Sequence, residues 1–225
     1  MKFLQKTLIL FALCSSAWAA SLVDLSDAEV SGGLKEALTQ GAGHAVEVLG
    51  RKDGFLSNPK VKIPLPGVLK QAEPLLRMSG RGEDLDQLVT SMNRAAEAAV
   101  PGAKNLLVGA VKQMSVADAK KILTGGDDSV TRYFRDKTEA QLTRMFLPTV
   151  KQNTDKLALA GQYNALVGQA SGLGLVKSED AQIENYVTRK ALDGLYLMIA
   201  EEERAIRKDP VAAVGGLAKK VFGAL

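Results

Sequence analysis

Residues 85–99 read LDQLVTSMNRAAEAA. Leu85, Leu88, Met92, Ala95 and Ala99 recur at steps of three and four, which places them on one face of an α-helix. Asn93, Arg94 and Glu97 border that face. Residues 93 and 97 are four apart and residues 94 and 97 are three apart, so the three side chains are helical neighbours. Polar groups at the margin of a core need partners. The partners the sequence suggests are Asp118 of VADAKKIL (116–123) and Thr131, Arg132 and Tyr133 of SVTRYF (129–134). Two readings follow. In the preferred one these residues form a structural network locking helices together. In the other, Asn93, Arg94, Glu97, Asp118, Thr131 and Tyr133 converge on a polar cleft that recognises a small ligand.

The helical period extends outward in both directions. Upstream, Ser26 and Glu29 have the spacing of a capping box. Val30, Leu34, Leu38, Ala42, Ala45 and Leu49 then make a stripe. Downstream, Leu106, Leu107, Ala110, Val111 and Met114 mark one helix, and Ser115 with Asp118 opens another that Gly125-Gly126 ends. Val130, Phe134, Leu142, Met145, Phe146 and Val150 give a long face that Pro148 is expected to kink or divide. Leu157, Ala160, Tyr163 and Val167 lead to the loop SGLGLV (171–176). Ser178 to Asp180 then reads as the start of a helix carrying Ile183, Val187, Ala191, Leu195, Met198 and Ile206. A last helix presents Val211, Val214, Leu217, Val221, Phe222 and Leu225.

One stretch breaks the period. KVKIPLPG (60–67) alternates Val61, Ile63 and Leu65 with Lys60, Lys62 and Pro64. Pro64 and Pro66 have fixed φ and push Ile63 and Leu65 toward extended geometry. The missing N–H groups make this a poor central strand. It reads as a rigid arm, about residues 60–66, laid over the helices with Ile63 and Leu65 as apolar anchors. The alternative role is an edge that a peptide or second subunit meets by strand addition. Pro66-Gly67 opens a helix with Leu65, Leu69, Ala72 and Leu76 on its face, and Pro74 predicts a kink or a late start. The fold class is all-α: a multi-helix bundle of about seven to nine helices with one short extended arm.

The N-terminus, MKFLQKTLILFALCSSAWA (1–19), has basic Lys2 and Lys6, an apolar run from Leu8 to Cys14, and the small-x-small triplet Ala17-Trp18-Ala19. That is the pattern of a secretory signal peptide cleaved near Ala19. The apolar run is shorter than the roughly 20 residues of a spanning helix. Leu13 before Cys14 disfavours a lipoprotein. The expectation is one helical domain over 20–225, periplasmic or secreted, with no transmembrane segment after cleavage. Cys14 is the only cysteine. Once it leaves with the signal, neither thiol nor disulfide chemistry remains. Without Lys2 and Lys6 the excess of basic over acidic residues falls from four to two. Charges of both signs are mixed and aromatics are sparse, which argues against nucleic acid as a partner.

Few chemical motifs occur. His44 is the one histidine, and a lone histidine on a helix is more often structural than catalytic. There is no G-x-S-x-G elbow, P-loop or H-E-x-x-H. GAGHAV (41–46) lacks the third glycine of a dinucleotide fingerprint. Asp127 and Asp128 in GGDDS lack the alternating ligands of a calcium loop, so a helix end followed by a helix start is preferred. Glu201, Glu202 and Glu203 with Arg204 and Arg207 read as a solvated helix face. No metal site and no cofactor is expected. The leading functional reading is a non-catalytic exported protein of the cell envelope that binds or interacts with an envelope protein partner. The alternatives are a periplasmic carrier of a lipid or small apolar ligand, and an enzyme using Glu97 or Asp118 as base.

IPLPG (63–67), MNRAAE (92–97), DAKKILTGG (118–126), TRYF (131–134) and KKVFG (219–223) occur in order, with LKEAL (34–38) and DGF (53–55) before them. Together they resemble a bacterial family of exported proteins catalogued as a domain of unknown function, over roughly Leu34 to Gly223. The resemblance implies a helical exported protein and makes the arm part of the family pattern. It implies no activity, substrate or cofactor.

Overall fold

The computed structural model of the protein describes residues 26–126, 128–172, 181–209, 218, 219 and 221. The expected leader and its cleavage point lie outside them. So do Asp127, the SGLGLV loop from Leu173 on, the Ser178–Asp180 helix start and most of the final helix.

The described residues form an all-α bundle: α1 (Asp27–Gly50), α2 (Gly67–Met78), α3 (Gly82–Ala99), α4 (Ala103–Lys112), α5 (Val116–Leu123), α6 (Ser129–Thr154), α7 (Ala158–Gly172) and α8 (Ile183–Lys208). Among them there is no strand, and no helix is long and apolar enough to cross a membrane. Pro101 sits in a 3-10 turn, Val100–Gly102, joining α3 to α4.

Local chemistry sets the helix ends. Ser26 and Glu29 form the capping box at α1, and Ser115 and Asp118 form the one at α5. Asn164 of α7 caps α8 from outside, because its Oδ1 accepts the Ile183 N–H at 2.7 Å. Each such contact satisfies a donor that the helix itself leaves open.

α6 is the centre of the bundle, packed against α3, α4 and α8. Val130, Phe134, Thr138, Leu142, Phe146, Val150 and Thr154 are all buried at intervals of four. A step of four overshoots a full turn by about 40°. The buried stripe therefore winds around the helix instead of marking one side, which suits an element with neighbours on several flanks. The two threonines are tolerated because Thr138 Oγ1 donates to Phe134 O at 2.6 Å and Thr154 Oγ1 to Val150 O at 3.2 Å. Met145, expected on this face, is 41% exposed instead.

Neither proline ends its helix. α2 runs through Pro74 from Gly67, with no late start, and α6 runs unbroken through Pro148. Each proline removes the bond to the carbonyl four residues back. Those carbonyls belong to Lys70 and Arg144, both exposed, where water is available to them.

The acidic triplet on α8 is not a solvated face. Glu201 pairs with Lys60 of the arm at 2.8 Å, and Glu202 with His44 of α1 at 2.7 Å. Glu203 is buried, and its Oε1 accepts from Arg207 Nε and Nη2 at 3.0 and 2.9 Å. Arg207 also donates to Ile122 O at 3.0 Å. The end of α8 is thereby fastened to the end of α5.

Candidate functional site

The residues singled out by sequence fall into two separate places. Asn93, Arg94 and Glu97 face the segment from Arg51 to Pro66. Asp118 and Tyr133, with Arg132, border a cleft between α5 and α6. Glu97 and Asp118 share no partner: Glu97 meets Phe55, Leu56 and Arg94, whereas Asp118 meets Ser115.

Around the arm, Asn93 is completely buried and acts as a surrogate strand. Its Oδ1 accepts the Ile63 N–H at 2.8 Å, and its Nδ2 donates to Ile63 O at 2.9 Å and Val89 O at 2.8 Å. On the opposite flank Tyr186 Oη of α8 donates to Pro64 O at 3.0 Å. In an extended chain successive residues direct their backbone groups to alternate sides. Both flanks of the arm are thus engaged, one by α3 and one by α8, and Ile63 and Leu65 are buried in the core.

The turn before the arm is held by the same helix. Glu97 Oε1 accepts the N–H groups of Phe55 and Leu56, both at 3.1 Å. Its Oε2 lies 2.6 Å from Arg94 Nη1, and Arg94 Nη2 lies 2.7 Å from Asp53 Oδ1. Asp53 has φ of 67°, a conformation that aspartate visits more readily than most residues. Phe55 is fully buried and reaches α8 where Gly194 leaves room. A Cβ there would lie 2.8 Å from the Phe55 ring and 3.2 Å from Val61 Cβ. Both oxygens of the Glu97 carboxylate are committed to this structural work.

The cleft is lined by Asp118, Lys121 and Ile122 of α5 and by Ser129, Arg132, Tyr133, Asp136 and Lys137 of α6, and has a volume of about 490 Å3. Ser115 N and Oγ both donate to Asp118 Oδ2, at 3.0 and 2.7 Å. Those bonds first, then the nearby charges of Lys137 and Lys121, hold the Asp118 carboxyl below the ordinary carboxylate range. A carboxylate held so firmly ionised is a weak proton acceptor. Tyr133 Oη donates to Ala110 O of α4 at 2.8 Å. Burial, and secondarily the charge of Asp118, push its pKa up, so the phenol stays neutral. Thr131 Oγ1 is buried without a hydrogen-bond partner in the structure and does not line the cleft.

A second, smaller hollow of about 240 Å3 adjoins the first. It lies between α4 and α6 and includes Asn105, Gly109, Gln113, Tyr133, Lys137 and Gln141. Tyr133 and Lys137 border both hollows. Sequence reasoning missed Lys121, Asp136, Lys137 and the three amides. The signal was present as two series at intervals of four without a large aliphatic residue, Asn105-Gly109-Gln113 and Tyr133-Lys137-Gln141. Periodic polar residues ordinarily read as a solvated face, and nothing local says that two such faces meet.

Among the described residues no group of three or more histidine, cysteine, aspartate or glutamate side chains is placed to hold a metal ion. Comparison with curated proteins finds no match, and comparison with solved structures finds none either. A family model does match, over residues 24–223, and it bears the description "Protein of unknown function (DUF4197)". The match covers nearly the whole chain, and the protein belongs to that family.

Proposed function

We propose that the protein is a non-catalytic binding protein of the bacterial cell envelope. It is exported after cleavage near Ala19 as one helical domain, and the cleft between α5 and α6 is its ligand site. The observation that carries this reading is the cleft itself. About 490 Å3 of open volume is bordered by Lys121, Arg132 and Lys137 together with Asp118 and Asp136; Asp118 is occupied by a helix cap and Arg132 pairs with Asp128 at 3.2 Å. Such a volume lies in the range of small-molecule sites. The mixed lining, charged groups of both signs beside Ile122 and Tyr133, favours a small amphiphilic ligand that carries charge. The two carboxylates suggested as catalytic bases are engaged in structural hydrogen bonds. The apolar pocket between α1 and α8 measures about 10 Å3, far below the several hundred Å3 an apolar cargo needs.

Native mass spectrometry tests this. The protein purified gently from its own envelope should carry an extra mass that disappears on denaturation. A Lys121→Glu/Arg132→Glu variant, altered only at exposed side chains, should come out bare. A bare wild type, or the same mass on both proteins, refutes the site. Cell fractionation that leaves an uncleaved chain in the cytoplasm refutes the export.

A further inference from the structure

We infer that α2 docks on an anionic lipid surface, laying an apolar ridge of Val68, Leu75 and Met78 into the bilayer boundary with Lys62 and Lys70 over the headgroups. This surface is separate from the α5–α6 cleft and does not depend on it. Among the described residues five large hydrophobic side chains are exposed, and three of them are these, at 44%, 71% and 86%. Their steps of seven and three place them within an arc of about 80° on the helix. Leu69 and Leu76 take another side of α2 and pack toward the core, so the ridge points outward. The main neighbour of α2 is α3. The ion pairs beside the ridge leave a net positive charge. Arg77 holds two carboxylates, with Nε 2.9 Å from Glu73 Oε1 and Nη2 2.7 Å from Asp86 Oδ1. Lys62 of the arm and Lys70 of α2 border the same hollow as this trio, of about 420 Å3. Both are exposed, and neither forms an ion pair among the described residues. Three cations thus face two carboxylates, and both carboxylates are spent on one guanidinium. The first turn of α2 carries no acid, and Glu83 stands past the opposite end of the helix. An apolar ridge with free cations at its edge suits an anionic bilayer, where buried apolar area and headgroup attraction add. A second copy of the chain fits less well. Three side chains on a helix about 18 Å long fall well short of the roughly 800 Å2 per partner of a stable interface.

Cosedimentation with lipid vesicles provides the test. The mature protein is mixed, at physiological ionic strength, with vesicles of phosphatidylcholine alone or of phosphatidylcholine and phosphatidylglycerol in equal parts. It should bind the anionic vesicles at least about tenfold tighter than the neutral ones. Leu75→Gln/Met78→Gln, altered only at exposed side chains, should melt like the wild type and lose about tenfold on the anionic vesicles. Lys62→Gln/Lys70→Gln should bind the anionic vesicles no better than the neutral ones. A wild type that leaves anionic vesicles unbound, or binds both kinds alike, overturns the lipid assignment. So does binding that either variant keeps in full. Sedimentation velocity without lipid checks the other occupant: a wild-type dimer that Leu75→Gln/Met78→Gln dissolves assigns the ridge to a second copy and overturns the lipid surface.

Discussion

Replacing Asn93 removes the hinge pin of the arm. Asn93→Ala leaves the Ile63 N–H and C=O without partners in buried surroundings. Each such orphan costs roughly 1–3 kcal/mol. Val89 O still receives its helical N–H. Water entering beside the shortened side chain offsets part of the loss, so the net expectation is about 3 kcal/mol. For a chain of this length that lowers Tm by roughly 6–12 °C. Asn93→Asp is the sharper probe because it keeps the shape. Its new carboxyl faces Ile63 O and Val89 O and is buried, so the folded pKa rises above the unfolded value of about 3.9. Between those two pKa values the folded state binds more protons than the unfolded state, so stability falls as pH rises. The deficit relative to wild type should therefore be smallest below about pH 4, where the protonated acid can donate to Ile63 O. It should widen as pH rises and level off above the folded pKa. Urea unfolding of wild type and both variants across pH measures it. An Asn93→Ala loss under about 1 kcal/mol, or an Asn93→Asp deficit flat with pH, would falsify the strand-surrogate account.

Two glycines should respond with opposite sign. Gly194→Ala drives a methyl against the Phe55 ring and Val61 and should destabilise by about 1–3 kcal/mol, whereas Gly43→Ala, with nothing within 4 Å, should stabilise by about 0.5–1 kcal/mol; equal effects in thermal melts would show that the arm does not press on α8. Arg207→Met withdraws the guanidinium from buried Glu203 and from Ile122 O and should cost about 3 kcal/mol, with hydrogen exchange rising first at the α5–α6 junction; a change below 0.5 kcal/mol would count against a buried clasp. Ser115→Ala removes the α5 cap at a cost of about 1 kcal/mol and should let the Asp118 carboxyl titrate higher, toward its ordinary range. Because the native carboxyl is held low, the cap contributes above the unfolded pKa and is lost as pH falls through the folded one. An Asp118 titration followed by NMR that is the same in both proteins would contradict the assignment of Ser115 as the main cause.

Most helices of the described residues, the caps of α1 and α5 and the extended course of the arm are legible in the sequence alone. The i, i+3, i+4 stripes, the Ser-x-x-Glu and Ser-x-x-Asp boxes and the prolines of the arm are local, and local rules decide them; the arm was expected from residue 60, but Val61 and Lys62 donate to Asn58 O in a turn, so its extended part is 62–66. Even the polar trio of α3 was legible as a group needing partners. Which partners it took was not. Asn93 and Glu97 bond to backbone groups 30 to 42 residues away, and a backbone N–H leaves no mark in the sequence. Met145 and Glu203 were misread for a related reason. Their fate depends on which side of the helix faces water, and that is set by neighbours distant in sequence. The hollow between α4 and α6 is the clearest case. The two series that line it are plain in the letters, but only tertiary packing turned them toward each other, because their meeting is fixed by the buried faces that hold α4, α5 and α6 together.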